Sequence, residues 1–322
     1  MRTASSWGNR KPSSKRSLAS RSKPWSSLPS IRGANALIAD ALKLEPGQRL
    51  LELGCGNGRD AFYFADQGLA VTAIDKSVDA IDACRARTLA HIDLPSNESF
   101  RVEYITDKSW SGYNWYQGNY QSLIQVNTDL PINVDRAIDL ACHEGYPGHH
   151  VYNVLLEKNL VRDRGWPEYS VYPLFSPQSL IAEGSANFGI EVAFPGAERL
   201  AFERDVLFPL AGLDPARAAE YAEVRDLVSR LSYADNEAAR RYLDGEITRE
   251  QAEAWLQELA LMSPEHARQR VGFIDQYRTY VINYNLGQDM VRRFVEARGG
   301  TADQPERRWQ IFTGLLSSPR LP

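Results

Sequence analysis

The run Cys142-His143-Glu144-Gly145-Tyr146-Pro147-Gly148-His149-His150 holds three of the five histidines in a chain of 322 residues. Clustered imidazoles beside a carboxylate are what a divalent metal site needs, and Glu144 is placed to act as base toward a metal-bound water. The usual zinc-protease helix carries its two histidines at i and i+4. Here the i+4 position from His143 is Pro147, and the next histidines follow at i+6 and i+7. On a straight helix the latter sits two turns away, roughly 10 Å along the axis. Pro147-Gly148 removes an amide and opens the turn, which is expected to swing His149 back towards His143. The expected ligands are therefore His143 and His149, with His150 as a supporting or substrate contact. The competing reading is a helix end with surface histidines.

A catalytic metal site of this kind wants a third protein ligand and an open position. Glu183, in Ser179-Leu180-Ile181-Ala182-Glu183-Gly184-Ser185-Ala186-Asn187, lies 34 residues after His149 in an apolar, small-residue setting. A carboxylate buried there is either ligating or paired in a salt bridge. Glu191 is the alternative on a later turn. Further on, Tyr277, Tyr280 and Tyr284 share a helical face. A phenol aimed at the site would stabilise an oxyanion, with Tyr284 as the choice; an aromatic packing stripe is the alternative. Arg278 is a candidate for a substrate carboxylate. His91 and His266 read as incidental.

His-Glu-Gly-Tyr-Pro-Gly-His-His followed by Ala-Glu-Gly-Ser-Ala-Asn resembles a bacterial domain-of-unknown-function family with an H-E-x-x-P-G-H motif, regarded as gluzincin-like zinc metallopeptidases. The resemblance runs from about Cys84 to the C-terminus. It implies a mostly helical fold, a Zn2+ ion held by His143, His149 and Glu183, Glu144 as general base, and a peptide or small amide as substrate. Members are longer at the N-terminus, so helices that complete their fold are expected to be missing here.

A second pattern precedes it. Gln48 to Leu53 reads as a buried strand, Gly54-Cys55-Gly56-Asn57-Gly58 as a glycine turn, Asp60 to Gln67 as a short helix, and Ala70 to Ile74 as the next strand, closed by Asp75. The glycines let backbone approach a ligand, and an acid 21 residues beyond the first suits ribose hydroxyls. This stretch is similar to the opening motifs of class I S-adenosylmethionine-dependent methyltransferases. By that resemblance Gly54, Gly56 and Gly58 would surround the cofactor, Asp75 would hold its ribose, and Glu52 would join the cofactor-binding residues. Only about fifty residues carry it, and one β-α-β unit leaves both sheet edges open.

These sites need elements to hold them. Asn133 to Cys142 reads as the helix leading into the histidine motif, and Val151 to Asn159 as the helix leaving it. Phe100 to Ile105 and Ser122 to Thr128 alternate as strands around an aromatic, turn-like stretch (Trp110, Tyr113, Trp115, Tyr116, Tyr120), which reads as a hairpin. Beyond Phe194-Pro195-Gly196 the chain reads as nearly all helix. Asp214-Pro215 is an N-cap, Thr248 with Gln251 a capping box, and Ser263-Pro264 the start of a long helix towards Arg298. The expected fold is thus mostly α: a helical metallopeptidase-like domain with a small β-hairpin over 84–322, preceded by a partial α/β, Rossmann-like β-α-β module over 35–83.

Residues 1–34 carry eight Lys and Arg, ten Ser and no acid. Such a segment reads as a disordered basic tail, without the apolar core of a secretory signal. Without it the net charge is −12, against −4 for the whole chain, so nucleic acid is not an expected partner. No apolar run approaches the ~20 residues of a membrane span. Three cysteines (Cys55, Cys84, Cys142) with no pair close in sequence fit a reducing cytoplasm; Cys142 reads as a buried small residue rather than a nucleophile. The functional expectation is a zinc-dependent hydrolase. The alternatives are S-adenosylmethionine-dependent methyl transfer at Gly54–Asp75, or a catalytically inactive fusion of two incomplete modules.

Overall fold

The structure, a computed structural model, describes residues 16–17, 49–53, 70–74 and 76–319. The chain divides into two compact units, Met1–Asp79 and Ala80–Pro322. In the first, β2 (Arg49–Leu53) and β3 (Ala70–Ile74) pair in parallel from Arg49↔Ala70 to Leu53↔Ile74. Parallel neighbours require a crossover connection, as the β-α-β pattern anticipates. A two-residue strand β1 (Arg16–Ser17) pairs antiparallel with β3, giving the order β1-β3-β2. Two residues of the expected tail therefore cover part of one sheet edge. The helix expected at 60–67, Gly54, Gly56, Gly58 and Asp75 lie outside the described residues.

Helix α1 (Lys76–Leu89) leads to a second sheet built from β4 (Ser99–Ile105), β5 (Gly112–Gly118) and β6 (Gln121–Asn127). Here the expected hairpin is corrected. The aromatic stretch is itself strand β5, paired antiparallel with β6, while β4 runs parallel on β6's other side. The reversal is tight because Gly118, Asn119 and Tyr120 all take positive φ, so β5 rather than β4 forms the hairpin with β6. As the central strand, β6 buries Leu123, Ile124 and Val126.

The rest is helical: α2 (Arg136–Leu140), α3 (His149–Leu156), α4 (Pro177–Ala193), α5 (Gly196–Phe202), the single turn Phe208–Leu210, α6 (Ala218–Ser229), α7 (Ser232–Leu243), α8 (Arg249–Leu259), α9 (Pro264–Tyr277), α10 (Ile282–Glu296) and α11 (Pro305–Leu316). The starts follow the sequence. Asp214 accepts from the Ala216 amide, Thr248 and Gln251 form the capping box, and Ser263 accepts from the His266 amide. The single long helix expected from Ser263 to Arg298 is instead α9 and α10, joined by a 3-10 turn at Arg278–Val281. Arg278 sits at φ 54°, a region costly for a residue with a Cβ, and the chain changes direction there. Among the described residues no helix is long and apolar enough to cross a membrane.

The main core gathers Val151 and Val154 of α3, Phe188 of α4, Val291 of α10 and Phe312 and Leu316 of α11. Helices α4 and α10 cross at Gly184 and Gly287. A Cβ at Gly184 would lie 2.3 Å from the Gly287 carbonyl, and one at Gly287 would lie 2.5 Å from the Leu180 oxygen. Neither fits without moving backbone, so the close crossing that sets Glu183 against the start of α10 depends on both glycines. Gly287→Ala should destabilise the fold by about 1–3 kcal/mol, the usual cost of overpacking, which a denaturant titration would read.

Candidate functional site

The histidine motif is shaped by what the backbone cannot do at Pro147. Helix α2 widens over Ala141–Gly145, where the Tyr146 amide bonds to the Ala141 oxygen at 3.0 Å instead of four residues back. The Tyr146–Pro147 peptide is cis. The chain then folds over its own helix end, and the Gly148 amide reaches the Cys142 oxygen at 2.9 Å. A Cβ at Gly148 would lie 1.9 Å from the His143 oxygen, so only glycine permits this return. Helix α3 restarts at once, with the Tyr152 amide bonded to the Gly148 oxygen.

The result sets the His143 and His149 rings 4.7 Å apart and nearly perpendicular. Glu183, from α4, places Oε2 at 3.1 Å from His143 Nε2 and 3.4 Å from His149 Nε2. Donor atoms of these three residues all lie within 4.8 Å of one another. The partners behind them leave those atoms available. Asn187, one helical turn from Glu183, meets His143 Nδ1 at 2.8 Å, and Tyr280 donates its hydroxyl to Glu183 Oε1 at 2.7 Å. Two imidazole Nε2 atoms and one carboxylate Oε2 converge, with the far sides of His143 and Glu183 already bonded, a donor set that fits a divalent cation. Burial opposes the charge of Glu183, but the His149 and His143 imidazoles hold its carboxyl well below the usual range. Burial likewise opposes protonation of His149, and the Glu183 carboxylate outweighs it, raising the pKa.

These groups open on a cleft of about 1950 Å³. Glu144 lines it, buried, with Oε2 lacking a hydrogen-bond partner while its backbone oxygen accepts from Asn114. A Cβ at Gly112 on β5 would meet Glu144 Oε1 at 2.8 Å, so the strand packs against this carboxyl. Tyr284 stacks obliquely near His143, ring centres 6.3 Å apart, and burial with Glu183 nearby pushes its phenol well up. Tyr280 rather than Tyr284 touches Glu183. All three tyrosines line the cleft, and the one that bonds Glu183 lies in the turn that follows the break at Arg278, which spacing on a continuous helix does not show. Asn187 escaped the sequence reading, although its i+4 spacing from Glu183 on one helix was a signal for it.

Several other expectations resolve differently. His150 is fully buried and does not line the cleft, so it contacts no substrate there. Its Nδ1 meets Ser122 Oγ at 2.8 Å and its Nε2 meets Glu98 Oε2 at 3.0 Å. Glu191 pairs with Arg292 and Gln288, away from the cluster. His91 stacks on Trp309, while His266 does line the cleft. Cys84 and Cys142, distant in sequence, bring their Sγ atoms to 3.0 Å as free, buried thiols; burial and the neighbouring thiol push Cys142 well above the ordinary range. Side chains of the methyltransferase-like candidates are not described. Glu52 lies in β2, and β2 and β3 end side by side at Leu53↔Ile74, immediately before Gly54 and Asp75 in the chain.

Residues 31–97 match the family model of the tellurite resistance protein TehB. The protein-L-isoaspartate O-methyltransferase of Methylorubrum populi is 42% identical over 55 residues, 17% of this chain and 26% of that protein. These matches support a methyltransferase-like part. A Colwellia psychrerythraea protein described as a lipoprotein shares the fold over 81% of this chain and 42% of its own, with a TM-score of 0.53 and 16% identity. The chain thus spans about a quarter of the curated relative and under half of that solved chain. The expectation of a zinc-dependent hydrolase of the metallopeptidase class is corrected by these findings: the matched family is a methyltransferase-like one and the curated relative an O-methyltransferase.

Glu98 shows how far buried partners shift a charge. Burial raises its pKa, but hydrogen bonds from His150, Tyr146 and Arg85 prevail and bring it from 4.5 to about 2. Because the folded value lies below the unfolded one, the contribution is full above about pH 4.5 and is lost as pH falls towards 2. Acid titration of unfolding should show a loss of about 3 kcal/mol from this group, and Glu98→Gln should flatten that part of the curve.

Proposed function

We propose that residues 31–97 contribute to binding S-adenosylmethionine, with Gly54, Gly56 and Gly58 around the cofactor, Asp75 on its ribose and Glu52 beside them. The observation that carries this is the identity to an O-methyltransferase. The parallel register of β2 and β3 is compatible with it, since the carboxyl ends of both strands lie side by side, the end where such sheets take their ligands. When bound, S-adenosylmethionine supplies an electrophilic methyl group. Asp75→Ala should weaken its binding at least tenfold by calorimetry, through loss of a charge-assisted hydrogen bond. Equal affinity in the variant would remove Asp75 from the site, and no binding by the intact chain would remove the reading.

A second reading belongs to the helical unit and rests on the convergence of three donors. Here His143, His149 and Glu183 would hold a divalent cation at the wall of the cleft. The ion would supply a Lewis-acidic centre there. Around it Glu144, with one buried oxygen unpartnered, accepts a proton from a cleft ligand or water, and Tyr284, kept protonated, donates a hydrogen bond to developing negative charge. Elemental analysis should find about one divalent cation per chain in the wild type and none in His143→Ala, and a saturating cation should raise the wild type's thermal midpoint. Retention of the ion by His149→Ala with loss in His150→Ala would reverse the choice of ligand.

A further inference from the structure

Behind the cluster lies a second set of polar side chains. Ser122, His150 and Glu98 run in line, with Ser122 Oγ 2.8 Å from His150 Nδ1 and His150 Nε2 3.0 Å from Glu98 Oε2. The order is that of a nucleophilic triad, but all three are buried and none lines the cleft. No substrate reaches them. What the set does touch is the turn between the cation's two imidazoles. Tyr146 donates to Glu98 Oε2 at 2.5 Å, and Arg85 of α1 donates to Oε1 at 2.7 Å. Phe100 of β4 packs on both the Tyr146 and His150 rings, with centres 5.2 Å away in each case.

Glu98 therefore grips the chain on either side of Pro147-Gly148, at Tyr146 before and His150 after. Unfilled, these bonds would leave a carboxylate, a phenol and an imidazole stranded in the core. We propose that Glu98, Tyr146, His150 and Ser122 are positioning residues for the cation centre: they hold the turn that returns His149 to His143, so the chelating geometry exists before the ion arrives. This rests on the second reading above. Residues behind metal ligands typically account for 10–100-fold of affinity.

The test uses Co2+ as probe on the full chain, reading its dissociation constant and its visible spectrum, with the cation-free thermal midpoint measured in parallel. Glu98→Gln and Tyr146→Phe should each weaken Co2+ by about 10–100-fold and broaden or shift the bound spectrum. Glu98→Asp should recover part of the affinity. Glu191→Gln, which breaks an ion pair elsewhere in the unit, should leave affinity within about twofold, as expected of an unlinked site. If Glu98→Gln does not fold, Tyr146→Phe decides alone, since it removes one hydroxyl and keeps the ring. A lowered thermal midpoint with wild-type Co2+ affinity and spectrum in both variants would overturn the proposal and leave a purely structural network. Failure of the wild type to bind Co2+ would overturn the cation reading, and this inference with it. Binding by the wild type with no effect of the variants would overturn this inference alone.

Discussion

At Gly148 the backbone passes so close to the His143 carbonyl that there is room for hydrogen and nothing larger. The candidate cation site depends on that approach. A proline has stopped one helix, the amide ladder has slipped by one residue to finish it, and the next helix begins within a few ångströms of where the last one ended. Two imidazoles that a straight helix would hold on different faces come to lie edge to face. Glu183 adds the third donor only because α4 lies against this turn, and α4 is in turn held by its glycine-to-glycine crossing with α10.

Consecutive residues on α3 then serve opposite sides of one wall. His149 faces Glu183 and the cleft, while His150, about 100° further round the helix, faces Glu98 and the core. Each carboxylate is buried, each would be costly alone, and each is answered by donors on several elements. Both are held well below the usual carboxylate range. The difference lies in capacity left over. Both oxygens of Glu98 are hydrogen-bonded, Oε1 by Arg85 and Oε2 by Tyr146 and His150. On the cleft side the imidazoles and Glu183 keep donor atoms facing one another, and Glu144 retains an unpartnered oxygen. That surplus distinguishes the cleft side from the core side.

The functional indications fall on different parts of the chain. The family match ends at residue 97 and covers the β2–β3 pair, α1 and the loop beyond it. The donor cluster and the cleft belong entirely to Ala80–Pro322. The two proposals thus rest on separate residues, and each is measurable without the other.

Much of the local structure was legible because its causes are local. Caps at Asp214, Thr248 and Ser263 read directly from side chains that bond amides two or three residues on. The parallel β2–β3 pair followed from two apolar runs joined by a connection of helical pattern. His143, Glu144, His149 and Glu183 stood out because imidazoles and carboxylates are costly to bury without a task. The sequence also foretold a disturbed helix at Pro147, since a missing amide needs no tertiary context. What only the fold decided was direction and partnership. The break at Arg278, where φ is positive, opens the 3-10 turn that carries Tyr280 onto Glu183. The pairing of β6 between β5 and β4, the 3.0 Å approach of Cys84 to Cys142, and the inward turn of His150 to Glu98 all join residues far apart in the chain. Such contacts arise from how elements pack, and no spacing within either partner's own segment encodes them.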